Sequence, residues 1–401
     1  MAVEKSTDRM DEEKGLASGV DAEVVDADAL AVQWLCGWSR FVTRKRLPGA
    51  AIWLELIAIA LLITMLYQQQ HMLTCLGLAM FRFGNAATLP NTTLPSYVFD
   101  YAPLVWLDQS EMYFPSDIYA QVLNTKPYVN RSLIPEDTLP SPLNLETIDQ
   151  LNNWGTEVYL TSTVDITTSP TFLTGVVPSS TTGRTQDAIS CSVILTDHGD
   201  GLVDVFYMYF YAYNQGNTVL GQELGNHIGD WEHNMIRFVN GTPQTVWYSQ
   251  HANGQAFKYS VVEKSGKRPI AYSARGSHAN YAISGTHDHT IPDLNLPAGL
   301  LQDYTSRGTI WDPVLSSYFY TYDATTKEFS KASEDSPVQA MEYLGKWGDA
   351  QYPEDDKRQS KFFGFWKYVG GPTGPVTKGL VREKVCPDNG ILCIVRDILG
   401  P

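Results

Sequence analysis

At 401 residues and 43% hydrophobic, the chain is long enough for one large or two modest globular domains, each with a buried core. Its formal net charge of −15 argues against a nucleic-acid surface, which needs a basic patch to displace counterions from phosphate. Only 18% of residues are charged while Tyr (22) and Trp (10) abound, a balance that favours sheets with aromatic faces over long solvated helices.

Residues 1–46 read as a disordered and juxtamembrane cytosolic tail. Up to residue 30 they mix Asp, Glu, Ser and Gly, with too little apolar area to offset the entropy of ordering. From Asp28 to Arg46 the apolar residues, among them Leu30, Trp34, Trp38 and Phe41, suit an amphipathic helix or a simple extension of the span that follows. That span is 50–67, AAIWLELIAIALLITMLY, enough for a hydrocarbon core of ~30 Å when Trp53 and Tyr67 sit at its interfaces. Arg40, Arg44, Lys45 and Arg46 precede it, so the positive-inside tendency holds the N-terminal side in the cytosol and sends the remainder into a lumen or outside the cell. An apolar patch over 72–83 leading into Gly84-Asn85-Ala86-Ala87 offers a cleaved signal peptide as the rival. The stretch before the apolar core is far longer than an ordinary n-region, so an uncleaved signal anchor crossing the membrane once is expected. Sequons at Asn91, Asn130 and Asn240 all fall on the lumenal side.

The remainder, 86–401, is expected to be one mainly β, lumenal β-sandwich domain with short peripheral helices. Its lead-in, 86–160, carries Pro90, Pro95, Pro103, Pro115, Pro127, Pro135, Pro140 and Pro142, which forbid long helices and central strands. Strand patterns begin at Ser192 and strengthen over 202–214, where β-branched and aromatic residues fill both faces, as in a strand buried on both sides. Residues 232–239 and 245–251 pair across Asn240-Gly241, a strong hairpin signal, and a strand over 256–263 follows through Asn253-Gly254. A short helix over 338–347 and a strand over 362–369 complete the reading. Cys386 and Cys393 flank the turn sequence Pro387-Asp388-Asn389-Gly390, so in an oxidising lumen they either close a small disulfide loop or remain two free thiols.

The densest chemistry lies in Gly225-Asn226-His227-Ile228-Gly229-Asp230-Trp231-Glu232-His233, placed where a turn enters the strand at Glu232. Alternation puts Asp230 and Glu232 on one face, and His227 bends over them from the turn. An imidazole and two carboxylates suit a hard or borderline divalent ion (Ca, Mg, Mn or Zn), without which the carboxylates repel. The structural alternative, about as good, has Asp230 capping the turn and Glu232 paired with Arg237 or Arg275. A second cluster, Arg275-Gly276-Ser277-His278-Ala279-Asn280-Tyr281, runs on to His287-Asp288-His289. His278 stands open as a fourth ligand, an acid/base group or a hydrogen-bonded core residue; His251 is equally open, and His287-Asp288-His289 reads as a solvated loop. The chain lacks the nucleophile elbow, the HExxH zinc helix, the P-loop and the dinucleotide fingerprint. The aromatic run Phe206 to Tyr211 reads as buried sheet core before it reads as a sugar- or lipid-binding groove.

From Thr163 to Val369, the segments Gly229-Asp230-Trp231-Glu232-His233, Trp247-Tyr248-Ser249-Gln250-His251 and Gly276-Ser277-His278-Ala279-Asn280-Tyr281-Ala282 resemble the fungal family of vacuolar protein sorting-associated protein sixty-two. That resemblance implies a role in vacuolar or late secretory sorting. More remotely, His227 through Glu232 looks like the G-H-R-H-D-W-E core of the necrosis- and ethylene-inducing-like cytolysins, β-sandwich proteins whose motif holds a divalent cation used to bind membrane glycosphingolipids. By that likeness His227, Asp230 and Glu232 are ligands and Asn214 stands near a further acidic ligand; Gly229 in place of His departs from it. The leading expectation is a divalent ion presenting a glycan, glycolipid or cargo. A metal-assisted hydrolase or tailoring enzyme with His278 or His251 as acid/base is the alternative, and an interaction module without metal is a third.

Overall fold

A computed structural model of the chain describes residues 91–290 and 299–400. The tail (1–46), the expected anchor (50–67), Cys36 and Cys75 lie outside the described residues, among which no helix is long and apolar enough to cross a membrane.

The chain is mainly β, organised about an eight-stranded sheet whose centre is an antiparallel pair of 13-residue strands, Leu202–Asn214 and His227–Val239. Their register runs from Leu202 opposite Val239 to Asn214 opposite His227. Because the first strand is apolar on both faces, it cannot stand at a surface. Tyr207, Tyr209 and Tyr211 share one core with Val105, Leu107, Ala271 and Trp311 of a five-stranded sheet. Phe206, Met208 and Phe210 share the opposite core with Leu160 of a three-stranded sheet, Ile148 of a short helix, and Tyr343 and Trp347 from the segment after the helix Val338–Glu342. The large sheet is therefore a middle layer covered on both faces, in keeping with the strand over 202–214 expected to be buried on both sides. It is also mixed, since Ser317–Asp323 runs parallel to Cys191–Asp197. The aromatic run is core: Phe206 through Tyr211 are wholly buried.

The hairpin after Val239 closes as expected. Val239 faces Thr242, and Asn240 and Gly241 take left-handed φ values of 48° and 72°, the pair that a two-residue turn matched to strand twist requires. Other boundaries differ. The strand carrying Glu232 starts at His227, so the motif read as a turn is itself strand; the later strand is Asn253–Lys258, and the helix is only Val338–Glu342. In place of one strand over 362–369 there is a hairpin of Lys361–Phe362 and Phe365–Trp366.

The proline-rich lead-in is part of the fold. Leu104–Leu107 is an inner strand, parallel to Arg268–Ser273 on one side and antiparallel to Ile310–Trp311 on the other. It escapes the proline constraint by being four residues long and starting just after Pro103. Thr125–Val129 is also inner, although it contains Pro127. The Pro127 carbonyl accepts from Ile134 N at 3.0 Å, on the side where pairing with Ser132–Leu133 has already ended, so the missing N–H falls outside the ladder. Near the C-terminus Cys386 and Cys393 form a disulfide, with Cα atoms 5.5 Å apart.

A candidate ligand-binding cleft

Where Asn214 meets His227, the central strand pair ends in a cleft of about 370 Å³. His227, Asp230 and Glu232 line one part of it; His251, Ser277 and His289 line another, with Lys378, Phe365 and Trp366 also at its walls. Strand alternation places Asp230 and Glu232 on one face, opposite Tyr211 and Tyr209 in register. Gly229 between them and His227 has φ +66°, and a Cβ there would stand 2.1 Å from the Trp347 carbonyl oxygen. The histidine that the cytolysin motif carries before its Asp therefore has no room on this backbone.

Each predicted ligand is fixed by a partner that occupies one of its polar atoms. His227 Nδ1 lies 2.8 Å from the Gly229 carbonyl, which only accepts, so Nδ1 carries the proton and Nε2 keeps its lone pair. Burial lowers the His227 pKa and holds the ring neutral. Asp230 Oδ2 lies 3.0 Å from His278 Nδ1. Burial alone would raise the Asp230 carboxyl, but the His278 hydrogen bond and nearby His227 carry it below its ordinary 3.8. Glu232 Oε2 accepts a short hydrogen bond from the Ser249 hydroxyl. Burial and the Asp230 charge push Glu232 from 4.5 up to about 7. Asn214 donates from Nδ2 to the Gly225 carbonyl at 3.1 Å and lines the cleft. The pairing of Glu232 with Arg237 or Arg275 does not form: Arg237 binds Asp204, and Arg275 lies over the Tyr304 ring at 5.5 Å.

His278 is the hydrogen-bonded core residue of its three alternatives. Wholly buried, it stacks on Tyr211 at 3.7 Å and uses both nitrogens, Nδ1 toward Asp230 and Nε2 toward the Tyr113 carbonyl at 3.0 Å. Burial would lower its pKa, but the Asp230 bond and the Glu111 charge raise it. It positions Asp230 and has no nitrogen left for a ligand. Glu111, which no motif singles out, holds the neighbouring turn by accepting from Gly276 N at 2.9 Å.

His287-Asp288-His289 is no solvated loop. Gly285–Asp288 is a strand paired with Gln302–Thr305; His287 is buried, stacked on Tyr281 at 3.8 Å, and burial lowers its pKa to about 4. His289 turns toward the cleft and meets His251 around Asp303, a residue that the sequence reading missed. Asp303 is buried and accepts from Ser277 at 2.6 Å, Tyr281 at 2.8 Å and His251 at 2.7 Å. Although burial opposes it, His251, His289 and the Ser277 hydroxyl hold the Asp303 pKa far below 3.8, and, against the effect of burial, the Asp303 carboxylate in turn raises that of His251 to about 9. Among the described residues, the three metal-type ligand atoms lying within 4.8 Å of one another belong to His251, His289 and Asp303. His227, Asp230 and Glu232 share the cleft without forming so tight a group.

The sequence relationships agree with the resemblance drawn from the motifs. A model of the vacuolar protein sorting-associated protein 62 family matches residues 197–361. In Saccharomyces cerevisiae, the protein TDA6, whose name refers it to vacuolar protein sorting, is 38% identical over 323 residues, spanning 73% of this chain and 68% of that relative. Vacuolar protein sorting-associated protein 62 of the same yeast is 34% identical over 319 residues, with the same coverage of 73% and 68%. No solved structure matches the chain.

Proposed function

The chain belongs to the vacuolar protein sorting-associated protein 62 family, and from that premise we propose that its cleft holds a divalent cation on His227, Asp230 and Glu232. Through that cation it binds a glycan, glycolipid or protein cargo in vacuolar or late secretory sorting. One observation carries the reading: each of the three side chains has one polar atom fixed by Gly229, His278 or Ser249 and lines the cleft with the other unspent. Metal ligands are oriented by outer partners in this way. Asn214 supplies a further oxygen. Phe365, 53% exposed, and Trp366 offer aromatic surface to a sugar ring at the same cleft. A lumenal address is supported by the Cys386–Cys393 disulfide, which persists in oxidising compartments, and by the exposed positions of the sequon residues Asn91, Asn130 and Asn240. The 50–67 segment supplies the single membrane anchor, with the N-terminus cytosolic.

The test is elemental mass spectrometry of the purified full chain and its Asp230→Ala variant after dialysis against Ca²⁺, Mg²⁺, Mn²⁺ and Zn²⁺, followed by glycan-array and liposome binding with and without chelator. Near-stoichiometric metal that the variant loses, with chelator-sensitive binding, is expected. A variant that keeps all the metal the parent holds sinks the reading.

A hydrolytic reading is favoured by a different observation. Asp230 and Glu232 are neighbouring carboxylates whose acidities are driven apart, one below its ordinary value and one to about 7, as in acid/base pairs. His251 lines the cleft and remains an acid/base candidate; His278, with both nitrogens engaged, does not. Turnover of a glycoside or ester that Glu232→Gln removes while metal is retained would establish it.

A further inference from the structure

We propose that His251, His289 and Asp303 form a second, separate cation site in the cleft, built for a zinc-type divalent ion. This goes beyond the preceding reading and does not depend on it. The three residues come from separate segments: His251 from the turn after Thr242–Gln250, His289 from just beyond Gly285–Asp288, and Asp303 from within Gln302–Thr305. Nothing local in the chain brings them together; the fold does. His251 reaches the group from left-handed backbone, with φ 54°, a conformation uncommon outside glycine.

The donor spacing fits the ion. With bonds of ~2.1 Å, a tetrahedral zinc site sets its donor atoms ~3.4 Å apart. Here His251 Nε2 lies 2.7 Å from Asp303 Oδ2, and His289 Nε2 lies 3.8 Å from Asp303 Oδ1, values on either side of that edge length. The His251 and His289 ring centroids are 4.1 Å apart, so the two imidazoles approach the same carboxylate side by side. A fourth donor is at hand in Asn217 Oδ1, which accepts from His289 Nε2 at 2.8 Å; that nitrogen, like His251 Nε2 on Asp303, gives up its proton when the ion binds. Two imidazoles and a carboxylate select a borderline ion such as Zn²⁺ over Ca²⁺ or Mg²⁺, which prefer oxygen alone.

The supporting groups are those a ligating carboxylate needs. Asp303 is buried and held by the hydroxyls of Ser277 and Tyr281, one on each oxygen. Tyr281 is itself fixed by stacking on His287. His251 is 34% exposed at its side chain and lines the cleft, which leaves an approach for an ion and for a ligand completing its coordination. His289 Nε2 already has Asn217 Oδ1 as its partner at 2.8 Å, so what points to a cation is the convergence of two imidazoles from different loops on one buried carboxylate at the cleft wall.

The test measures zinc per chain in the full-length parent, His289→Ala and Asp230→Ala, after equilibration at micromolar free Zn²⁺. Support is one equivalent that His289→Ala loses and Asp230→Ala retains. Tyr281→Phe, which keeps the stack on His287 but removes a hydroxyl from Asp303, should weaken zinc binding by ~10–100-fold without loss of the folded state. The proposal is overturned by a parent that binds no zinc, by unchanged zinc in His289→Ala, or by loss of all zinc in both alanine variants, which would mean one shared site. Failure of the His227–Asp230–Glu232 reading is a separate result: Asp230→Ala retaining all the Ca²⁺, Mg²⁺, Mn²⁺ and Zn²⁺ that the parent holds after dialysis against the four ions together.

Discussion

The central strand pair carries a polar cluster at each end, and the two are built to opposite plans. At one end Asp204 is wholly buried and fully neutralised: Arg237, directly across in register, donates to both its oxygens at 2.8 Å, and His198 adds a third contact at 2.9 Å. Arg237 spends its remaining hydrogens on the Arg382 and Glu383 carbonyls. At the other end Asp230 and Glu232 sit together, and their near partners are one imidazole and one hydroxyl. The first cluster closes on itself and holds the C-terminal segment to the sheet. The second leaves like charges facing a cleft. A buried polar group with every partner in place is architecture; a pair of carboxylates only partly offset, here by His278 and by Lys378 at the cleft wall, is where a ligand is to be sought.

The comparison breaks first at Arg237. Arg237→Met leaves Asp204 buried without its bidentate partner, and a loss of about 3–5 kcal/mol is expected from urea unfolding. A loss under about 1 kcal/mol would show that the cluster is not structural. Its pH dependence has a defined sign. Burial opposes ionisation of Asp204, but Arg237 and His198 hold its folded pKa below the ordinary 3.8. The resulting stability is present above 3.8 and is lost as pH falls through the lower folded value. Acid unfolding of the parent should therefore be steeper below pH 3.8 than that of Asp204→Asn.

Gly229 sharpens the same contrast at the cleft end. Its φ of +66° and the 2.1 Å approach to the Trp347 carbonyl make Gly229→Ala costly, by roughly 3 kcal/mol from strain and displaced backbone together. A mild effect would show that the strand can relax, and that a histidine at this position, as in the cytolysin motif, is open to it.

These two residues also mark how far the sequence could be read. The central strands, the Asn240-Gly241 hairpin and the mainly β character were legible because alternation, β-branched and aromatic runs and turn residues act locally. The inner strands at Leu104–Leu107 and Thr125–Val129 were not, because surrounding prolines argue against them and only tertiary pairing overrides that. At the cleft, Asp230 and Glu232 could be placed on one face from their spacing alone. Asp303 could not be found in that way. It is a lone acid in a short strand, and its meaning comes from His251 and His289, 52 residues before it in one case and brought from another loop in the other. His278 drew attention by composition, but its role depends on the Tyr113 carbonyl, 165 residues away.

The smallest expected effect tests the cleft's defining feature most directly. Glu232→Gln keeps an oxygen for the Ser249 hydroxyl and removes the charge that Asp230 opposes. In chelator at pH 8, where Glu232 would otherwise be ionised, the variant should gain about 1 kcal/mol in urea unfolding while losing affinity for the divalent cation. Greater stability with poorer binding is the signature of a site whose repulsion is kept for a ligand. A destabilised variant would instead assign Glu232 to the architecture, and the two ends of the strand pair would then be alike.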